Sequence, residues 1–278
     1  MSPASTEQFL LEQYTGHPAS QLQDLRKALY QSVFGCGHLI TDTSAAAEGI
    51  RREAAEAGPC SREIEALDGP WSRVHLGVLA DGLTPETLAC IFARSAAMPH
   101  GDADTLQEKL AVLRRLIHSG ALPYSPAEAD AELDDWRKNG FPACRHSEEY
   151  RAAYRPAYRV LHRTYVRLLP LLAAIDRALT EKPRVLLAIE GGAASGKSTL
   201  AELLAAIYPD TSLFHADNFF LRPEQRTAAR YAQPGGNLDR ERLESEILAP
   251  ISRNEAAVYR PFDCRTLSLR KPVTVLPG

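Results

Sequence analysis

One stretch of eight residues constrains this chain more than any other, and it runs from Gly191 to Ser198. It reads Gly-Gly-Ala-Ala-Ser-Gly-Lys-Ser and fits the pattern G-x-x-x-x-G-K-[ST]. An apolar run at 184–190 precedes it and suggests a buried parallel strand, and a helix is expected from Lys197 to about Ile207. A glycine-rich turn between a strand and a helix is the context in which this pattern binds phosphate.

The residue types in this loop each suit nucleotide phosphates. Glycine lets backbone N–H groups wrap a phosphate without a Cβ in the way, Lys197 reaches the β and γ phosphates, and the Ser198 hydroxyl can ligate Mg²⁺. We therefore predict that ATP or GTP binds with Mg²⁺ at a set of nine residues, Gly191, Gly192, Ala193, Ala194, Ser195, Gly196, Lys197, Ser198 and Thr199.

A second element, His215-Ala-Asp217-Asn-Phe-Phe220, follows a short apolar run at 212–216 that is expected to be the next strand. Strand, helix and strand together predict an α/β fold with a parallel sheet of the P-loop NTPase type. Ligands gather at the carboxyl ends of parallel strands, where Asp217 can accept the proton of an attacking hydroxyl. A simple turn cap is the alternative, and the neighbouring loop favours the catalytic interpretation.

The chain ahead of this region has a different pattern. Residues 1–180 predict a mainly helical domain of unknown role, with apolar stripes such as Leu22, Leu25, Leu29 and Val33 at helical spacing. Further helices are expected from Pro85, over 106–117, over 126–138 and from Pro156 to about Thr180. Lys182-Pro183 marks a boundary, so 183–278 forms the second domain, with a helix over 240–248 and a short strand at 257–259.

Composition excludes several classes of protein. Lys and Arg number 32 and Asp and Glu 35, a balance that favours neither nucleic acid nor a membrane as a partner. The run 168–175 is too short to span a bilayer. Five widely spaced cysteines predict a reducing cytoplasm, and the sequence leaves a homo-oligomer open. Cys36 and His38 lack two further ligands at suitable spacing, so a structural turn is favoured over a metal site.

Five arginines recur every four residues on the helix expected near 156–180, at Arg151, Arg155, Arg159, Arg163 and Arg167. Such spacing keeps neighbouring residues on one slowly drifting face. The stripe can face phosphates, RNA or an acidic partner, but a solvated face is the more common use of a charge run and is preferred here.

Residues 184–269 resemble the uridine kinase and phosphoribulokinase group of P-loop kinases. The matching pieces, in order, are GGAASGKST, HADNFF, NLD at 237–239 and VYRPFD at 258–263. The resemblance implies that Asp217 is the general base for a sugar hydroxyl and that Asp239 holds the ribose hydroxyls. It also places Phe220 and Phe262 at the nucleoside site. Within the group, the chain resembles bacterial uridine kinase-like proteins that carry a helical extension before the kinase domain.

Two departures bear on the substrate and on completeness. Phe262 stands where the family usually has tyrosine, and residues 265–269 lack the family's histidine, which leaves the base preference open. The family's arginine-bearing lid and the strands that close its adenine site have no match in 183–278. We therefore expect this stretch to be the amino-terminal portion of a kinase domain, and the 278-residue chain to turn over little or nothing.

The sequence thus predicts an ATP-dependent phosphotransferase that acts on the hydroxyl of a ribonucleoside. Nicotinamide riboside, pantothenate or another small alcohol is the alternative acceptor. A nucleotide-binding regulator without catalysis is the alternative from another class. Asp217 and Asp239 favour substrate chemistry, because a pure nucleotide sensor needs neither carboxylate.

Overall fold

A computed structural model describes residues 3–36, 40, 42–58 and 60–276. The chain forms two compact units, one of residues 1–185 and one of residues 186–278, which we call unit 1 and unit 2.

Unit 1 is built mainly from helices. Capping side chains begin several of them: the Thr84 hydroxyl accepts a hydrogen bond from the Thr87 amide at 3.2 Å, and Asp102 does the same for Thr105 at 2.8 Å. The helices predicted at 22–33, from Pro85, over 106–117 and over 126–138 are confirmed. The bounds are α1 Pro3–Gly16, α2 Leu22–Phe34, α3 Thr43–Ala57, α4 Pro85–Ala96, α5 Ala103–His118, α6 Pro126–Lys138, α7 Glu148–Tyr154, α8 Arg163–Val166 and α9 Leu169–Glu181.

A three-stranded antiparallel sheet completes unit 1. Its strands are β1 (Ile64–Ala66), β2 (Trp71–His75) and β3 (Tyr158–His162), in that spatial order, with Glu65 opposite Arg73 and His75 opposite Tyr158. The long helix predicted from Pro156 is wrong over its first part, which forms β3 and α8, whereas α9 covers its end.

The prediction that five arginines share one face of a long helix is also wrong, because no such helix runs through them. Arg155 ends α7 in the left-handed conformation with φ of 44°, and Pro156 follows it without an N–H. Arg159 then lies in β3, where the ladder with β2 replaces helical hydrogen bonds. Arg151 lies in α7 and Arg163 begins α8. Because the arginines belong to different elements, their four-residue spacing defines no common helical face.

A polar network lies inside unit 1. The Arg73 guanidinium is 1% exposed and donates to Gln31 Oε1 at 2.8 Å and to Glu65 Oε1 at 3.1 Å. The ring nitrogens of His146 contact Asp24 Oδ1 at 2.7 Å and the Tyr158 hydroxyl at 2.6 Å. Buried polar groups of this kind must be paired to be tolerated, and here they join α2, the sheet and the loop before α7.

Unit 2 contains short elements around a small core. The helix predicted at Lys197–Ile207 and the strand at Ala257–Tyr259 are confirmed, and the segment predicted as one helix at 240–248 is helical with a π-turn at Glu244–Leu248. Phe219, Ile247, Ala257 and Tyr259 form the buried cluster. The elements are α10 Lys197–Ile207, α11 Ala228–Tyr231, α12 Arg240–Leu243, α13 Ala249–Ser252, β4 Ala257–Tyr259, β5 Phe262–Asp263, β6 Ser268–Leu269 and β7 Val273–Val275.

The predicted P-loop NTPase-type parallel sheet is wrong. Among the described residues every strand pairs antiparallel, β4 with β7 and β5 with β6 in unit 2. Residues 184–190 and 212–215 are irregular chain, and Leu186 is 70% exposed. An apolar run shows a tendency to be buried, but a strand exists only where a neighbour supplies ladder hydrogen bonds. In the part of the chain that the structure describes, no strand lies along either run.

Candidate functional site

The loop at 191–196 has a strained and compact backbone. Ala194 has φ of 56° and Gly196 has φ of 85°, so two residues of the loop adopt the left-handed region. This region is uncommon for a residue with a Cβ, and such outliers cluster at ligand sites. A Cβ added to Gly191 would lie 2.7 Å from Ser195 Oγ, a side-chain atom that can rotate away, and no backbone atom lies as near.

The same backbone suits an anion. Left-handed residues among right-handed ones turn successive N–H groups toward one side, which makes an anion-binding concavity. Helix α10 starts at Lys197, so the amides of Lys197, Ser198 and Thr199 have no acceptor inside the helix. The positive end of the helix dipole lies at the same place. Apart from the half-buried Lys197, residues 191–199 are exposed.

Lys197 is held at the loop by two carbonyl groups. Its Nζ donates to Gly191 O at 2.9 Å and to Gly192 O at 2.7 Å. An ammonium group carries three donors, so one remains for a ligand. The lysine is therefore held at the loop, with its charge at the start of α10.

Asp217 lies in a 3₁₀ turn, Ala216–Phe219, and not at the end of a strand. The Asn218 amide donates to His215 O at 3.0 Å to form the turn, and the fully buried Phe219 anchors it in the core. The Asp217 side chain is exposed, and within the described residues it makes no hydrogen bond or ion pair. Its carboxylate is free to accept a proton from a ligand.

Asp239 caps helix α12 and is 1% exposed. Its Oδ1 accepts from the Arg242 amide at 3.2 Å, and its own amide donates to Phe219 O at 2.6 Å. Its Oδ2 has no hydrogen-bond partner, and the nearest cation is Arg222 Nε at 4.0 Å. A buried carboxylate oxygen without a donor is costly, so this atom calls for a partner.

Arg242 has a donor that lacks an acceptor, whereas Asp239 has an acceptor that lacks a donor. The Nε and Nη2 of Arg242 donate to Glu246 at 2.8 and 2.9 Å, and its guanidinium lies 5.2 Å from the Phe219 ring centroid. Its Nη1 is buried without a partner. Among the described residues, the segment 219–242 thus holds one orphaned acceptor, Asp239 Oδ2, and two orphaned donors, Arg230 Nε and Arg242 Nη1.

The two predicted aromatic residues lie next to this segment. Phe220 is half-buried and forms a bridge with Leu238, the residue before Asp239. Phe262 in β5 is 5% exposed, and the Arg226 guanidinium lies 5.7 Å from its ring centroid. The predicted acceptor residues are therefore close to one another along 217–239, and β5 packs on the turn that carries Asp217.

The P-loop is not part of that cluster. None of the side chains in the described core around Phe219 comes from the loop or from α10. Sequence reasoning also missed Arg222, Arg226 and Arg242, which surround Asp239 and Phe262. Their spacing carried no helical or strand period, so only the folded turn shows them as neighbours.

The described residues hold no group of three or more His, Cys, Asp or Glu side chains arranged for a metal ion. Cys36 is buried, and burial raises the pKa of its thiol to about 12, while His38 lies outside the described residues. A Mg²⁺ ion that arrives with a nucleotide needs no protein cage, because phosphates and water supply most of its ligands. No helix within the described ranges has the length and apolar character to cross a membrane.

Comparison with protein families, curated proteins and solved structures finds no match for the chain.

Proposed function

We propose that unit 2 binds Mg-ATP or Mg-GTP at residues 191–199 and that the chain belongs to an ATP-dependent phosphotransferase whose acceptor is a ribonucleoside hydroxyl. The observation that supports it best is the loop itself. Ala194 and Gly196 are left-handed, and Lys197 is fixed by two carbonyls. Backbone outliers of this kind are enriched at ligand sites.

The residues of the loop divide the work of binding. The amides of 197–199 and the third donor of Lys197 suit the phosphates, and the exposed Ser198 hydroxyl suits Mg²⁺. A bound nucleotide supplies the phosphoryl group. The protein contributes position and charge stabilisation, which is where most of the catalysis in phosphoryl transfer arises.

The acceptor half of the proposal rests on Asp217 and Asp239. Asp217 is exposed and unpaired within the described chain, as a general base must be before its substrate binds. A sugar hydroxyl can donate to Asp239 Oδ2, which has no hydrogen-bond partner within the described residues. Because Asp239 is 1% exposed, the turn that covers it must move to admit a sugar.

A nucleotide-binding regulator without catalysis is the second candidate. The position of Asp239 favours it, since a buried carboxylate that caps a helix has a structural use without any substrate. Nicotinamide riboside, pantothenate and other small alcohols remain alternative acceptors for the first candidate.

Nucleotide binding is tested with Lys197→Ala. The variant loses a charge-assisted hydrogen bond worth about 1.5–3 kcal/mol, so Mg-ATP affinity should fall roughly ten- to hundredfold in calorimetry. Lys271→Ala, which removes an exposed lysine of the same unit, is the matched control and should bind like the wild type. Equal affinity in all three proteins would remove the nucleotide site.

The acceptor is tested by phosphorylation of uridine, cytidine, nicotinamide riboside and pantothenate with ATP and GTP, in a chain extended through the lid that the resemblance implies. Asp217→Asn should lower kcat by about 10²–10⁴-fold while Mg-ATP binding persists, because only the proton acceptor is removed. Asp210→Asn, at another exposed aspartate of unit 2, should retain the wild-type rate. ATP binding without product from any acceptor would favour the regulator.

A further inference from the structure

Arg226 covers the aromatic ring that the sequence assigned to the nucleoside site. The Phe262 side chain is 5% exposed, whereas Arg226 is exposed and its guanidinium lies 5.7 Å from the Phe262 ring centroid. A guanidinium over a ring face at this distance makes a cation–π contact. Of the two residues, Arg226 is therefore the one that a ligand from solvent can reach.

The arginine is held in place by the backbone and not by an acid. Its Nε donates to Leu221 O at 3.0 Å, which leaves both terminal nitrogens free within the described residues. Its neighbours differ, because ion pairs join Arg222 to Glu224, Arg230 to Glu241 and Arg242 to Glu246. Among these four arginines, Arg226 alone has no carboxylate partner in the described chain.

We propose that Arg226, rather than Phe262, is the specificity-determining residue of the acceptor site. This inference rests on the proposed function and adds the class of acceptor. The guanidinium lies over the Phe262 ring and is open to solvent, and the planar ring of the acceptor stacks on it from the solvent side. Guanidinium planes serve as stacking surfaces for nucleobases in the same way that aromatic rings do.

The charge of this surface selects among planar acceptors. A neutral base such as uracil or cytosine presents its π face to the cation and is attracted. The pyridinium ring of nicotinamide riboside carries a permanent positive charge, and two like charges about 4 Å apart repel even at an effective dielectric constant near 20. The site therefore accepts neutral nucleosides and rejects a cationic one.

The experiment compares the affinities of the full chain for uridine and nicotinamide riboside by calorimetry, with Mg-ADP present. The wild type should bind uridine at least about tenfold more tightly. Arg226→Gln keeps a planar amide but removes the charge, and it should reduce this ratio roughly tenfold. Arg226→Glu reverses the charge and should favour nicotinamide riboside. Arg253→Ala, which removes an exposed arginine paired with Glu255, is the control and should keep the wild-type ratio.

The outcomes separate this inference from the proposal on which it rests. If the wild type binds uridine but the ratio is the same in all four proteins, Arg226 does not read the acceptor. A wild type that prefers nicotinamide riboside also overturns the inference, while the phosphotransferase proposal survives with that substrate. If neither nucleoside binds although Mg-ADP does, the acceptor half of the proposed function fails, and the role of Arg226 fails with it.

Discussion

Unit 1 and unit 2 differ in how well they cover their apolar side chains. Unit 1 buries long stretches of α2, α4 and α5, and only Ile64 and Leu179 are large apolar side chains left exposed in its described part. Unit 2 has a small core around Phe219 and exposes many more: Leu186, Leu187, Leu213, Tyr231, Leu248, Val258, Leu267, Val273 and Leu276. The candidate site thus belongs to the sparsely packed unit, where local rearrangement is energetically easiest.

The difference teaches that packing and chemistry are distributed unequally along this chain. Unit 1 contains the buried ion pair of Arg73 with Glu65, which needs a rigid surrounding structure to be tolerated. Unit 2 contains the strained loop and the exposed Asp217, which a ligand can reach. We therefore expect substitutions in unit 1 to change stability and those at the site in unit 2 to change binding.

Arg73→Ala should have the largest effect on stability. It removes the cation paired with Glu65, which keeps its hydrogen bond from Gln13, and the donor to the buried Gln31 Oε1. Breaking a buried pair on one side costs about 3–5 kcal/mol. Urea unfolding followed by tryptophan fluorescence measures this directly, because both tryptophans, Trp71 and Trp136, lie in unit 1. Arg62→Ala breaks the exposed pair with Asp81 and should cost at most about 1 kcal/mol. Similar losses for the two variants would contradict the contrast between buried and exposed pairs.

A pair of leucine substitutions compares the two units. Leu113 in α5 is fully buried, so Leu113→Ala should destabilise unit 1 by about 2–5 kcal/mol through lost contacts and a cavity. Leu187 in unit 2 is 47% exposed, and Leu187→Ala should change stability by no more than about 0.5 kcal/mol. Scanning calorimetry of both variants gives the comparison. A large loss for Leu187→Ala would show that this side chain is covered in solution.

The pH dependence of unit 1 should be dominated by His146 between pH 6.5 and 4. Burial lowers the pKa of His146 to about 4 and outweighs its hydrogen bond to Asp24. The unfolded chain binds the proton at its ordinary value of about 6.5, so stability falls as pH falls through this window, by up to roughly 1.4 kcal/mol for each pH unit. Unfolding monitored by tryptophan fluorescence should show this slope in the wild type and lose it in His146→Gln.

Asp24 acts at lower pH. Burial raises the pKa of its carboxyl, but the hydrogen bonds from His146, Ser147 and the Gln21 amide outweigh burial and lower it overall. Its contribution to stability is therefore present above about pH 3.9 and is lost as pH falls further. For the His146 prediction, the contradicting outcome is a His146→Gln variant whose stability falls with pH above pH 4 as steeply as that of the wild type. The pH dependence would then belong to another group.

The sequence predicted what depends on local chemistry. Helix α5 follows from the spacing of its apolar residues, and the start of α10 follows from the glycines and lysine of the motif at 191–198. The sheet was not predictable in the same way. The apolar run at 184–190 has the composition of a strand, but pairing depends on a distant partner that composition does not specify. β3 is the opposite case. Its region has arginines at four-residue spacing, which predicts a helix, but hydrogen bonds to β2 make it a strand.

For the candidate site, too, the sequence predicted some features and only the structure shows the others. The predicted roles of Lys197, Asp217 and Asp239 come from motif and resemblance and remain predictions. The structure adds that Asp239 is buried, that Phe262 lies beneath Arg226, and that Arg242 has an unpaired nitrogen. None of these facts has a sequence pattern, because each depends on how the turn at 215–226 folds back on residues 237–242.

The hydrogen bond between Asp24 and His146 joins residues that are 122 positions apart. Closing the loop between these two residues costs conformational entropy before their contact can stabilise the chain, and contacts between such distant residues slow folding. During synthesis the amino-terminal helices emerge long before the loop before α7 and strand β3 that complete their polar network. Unit 1 should therefore reach its native state late, only after β3 has left the ribosome, and an incomplete chain ending before Tyr158 should accumulate as a helical but loosely packed intermediate.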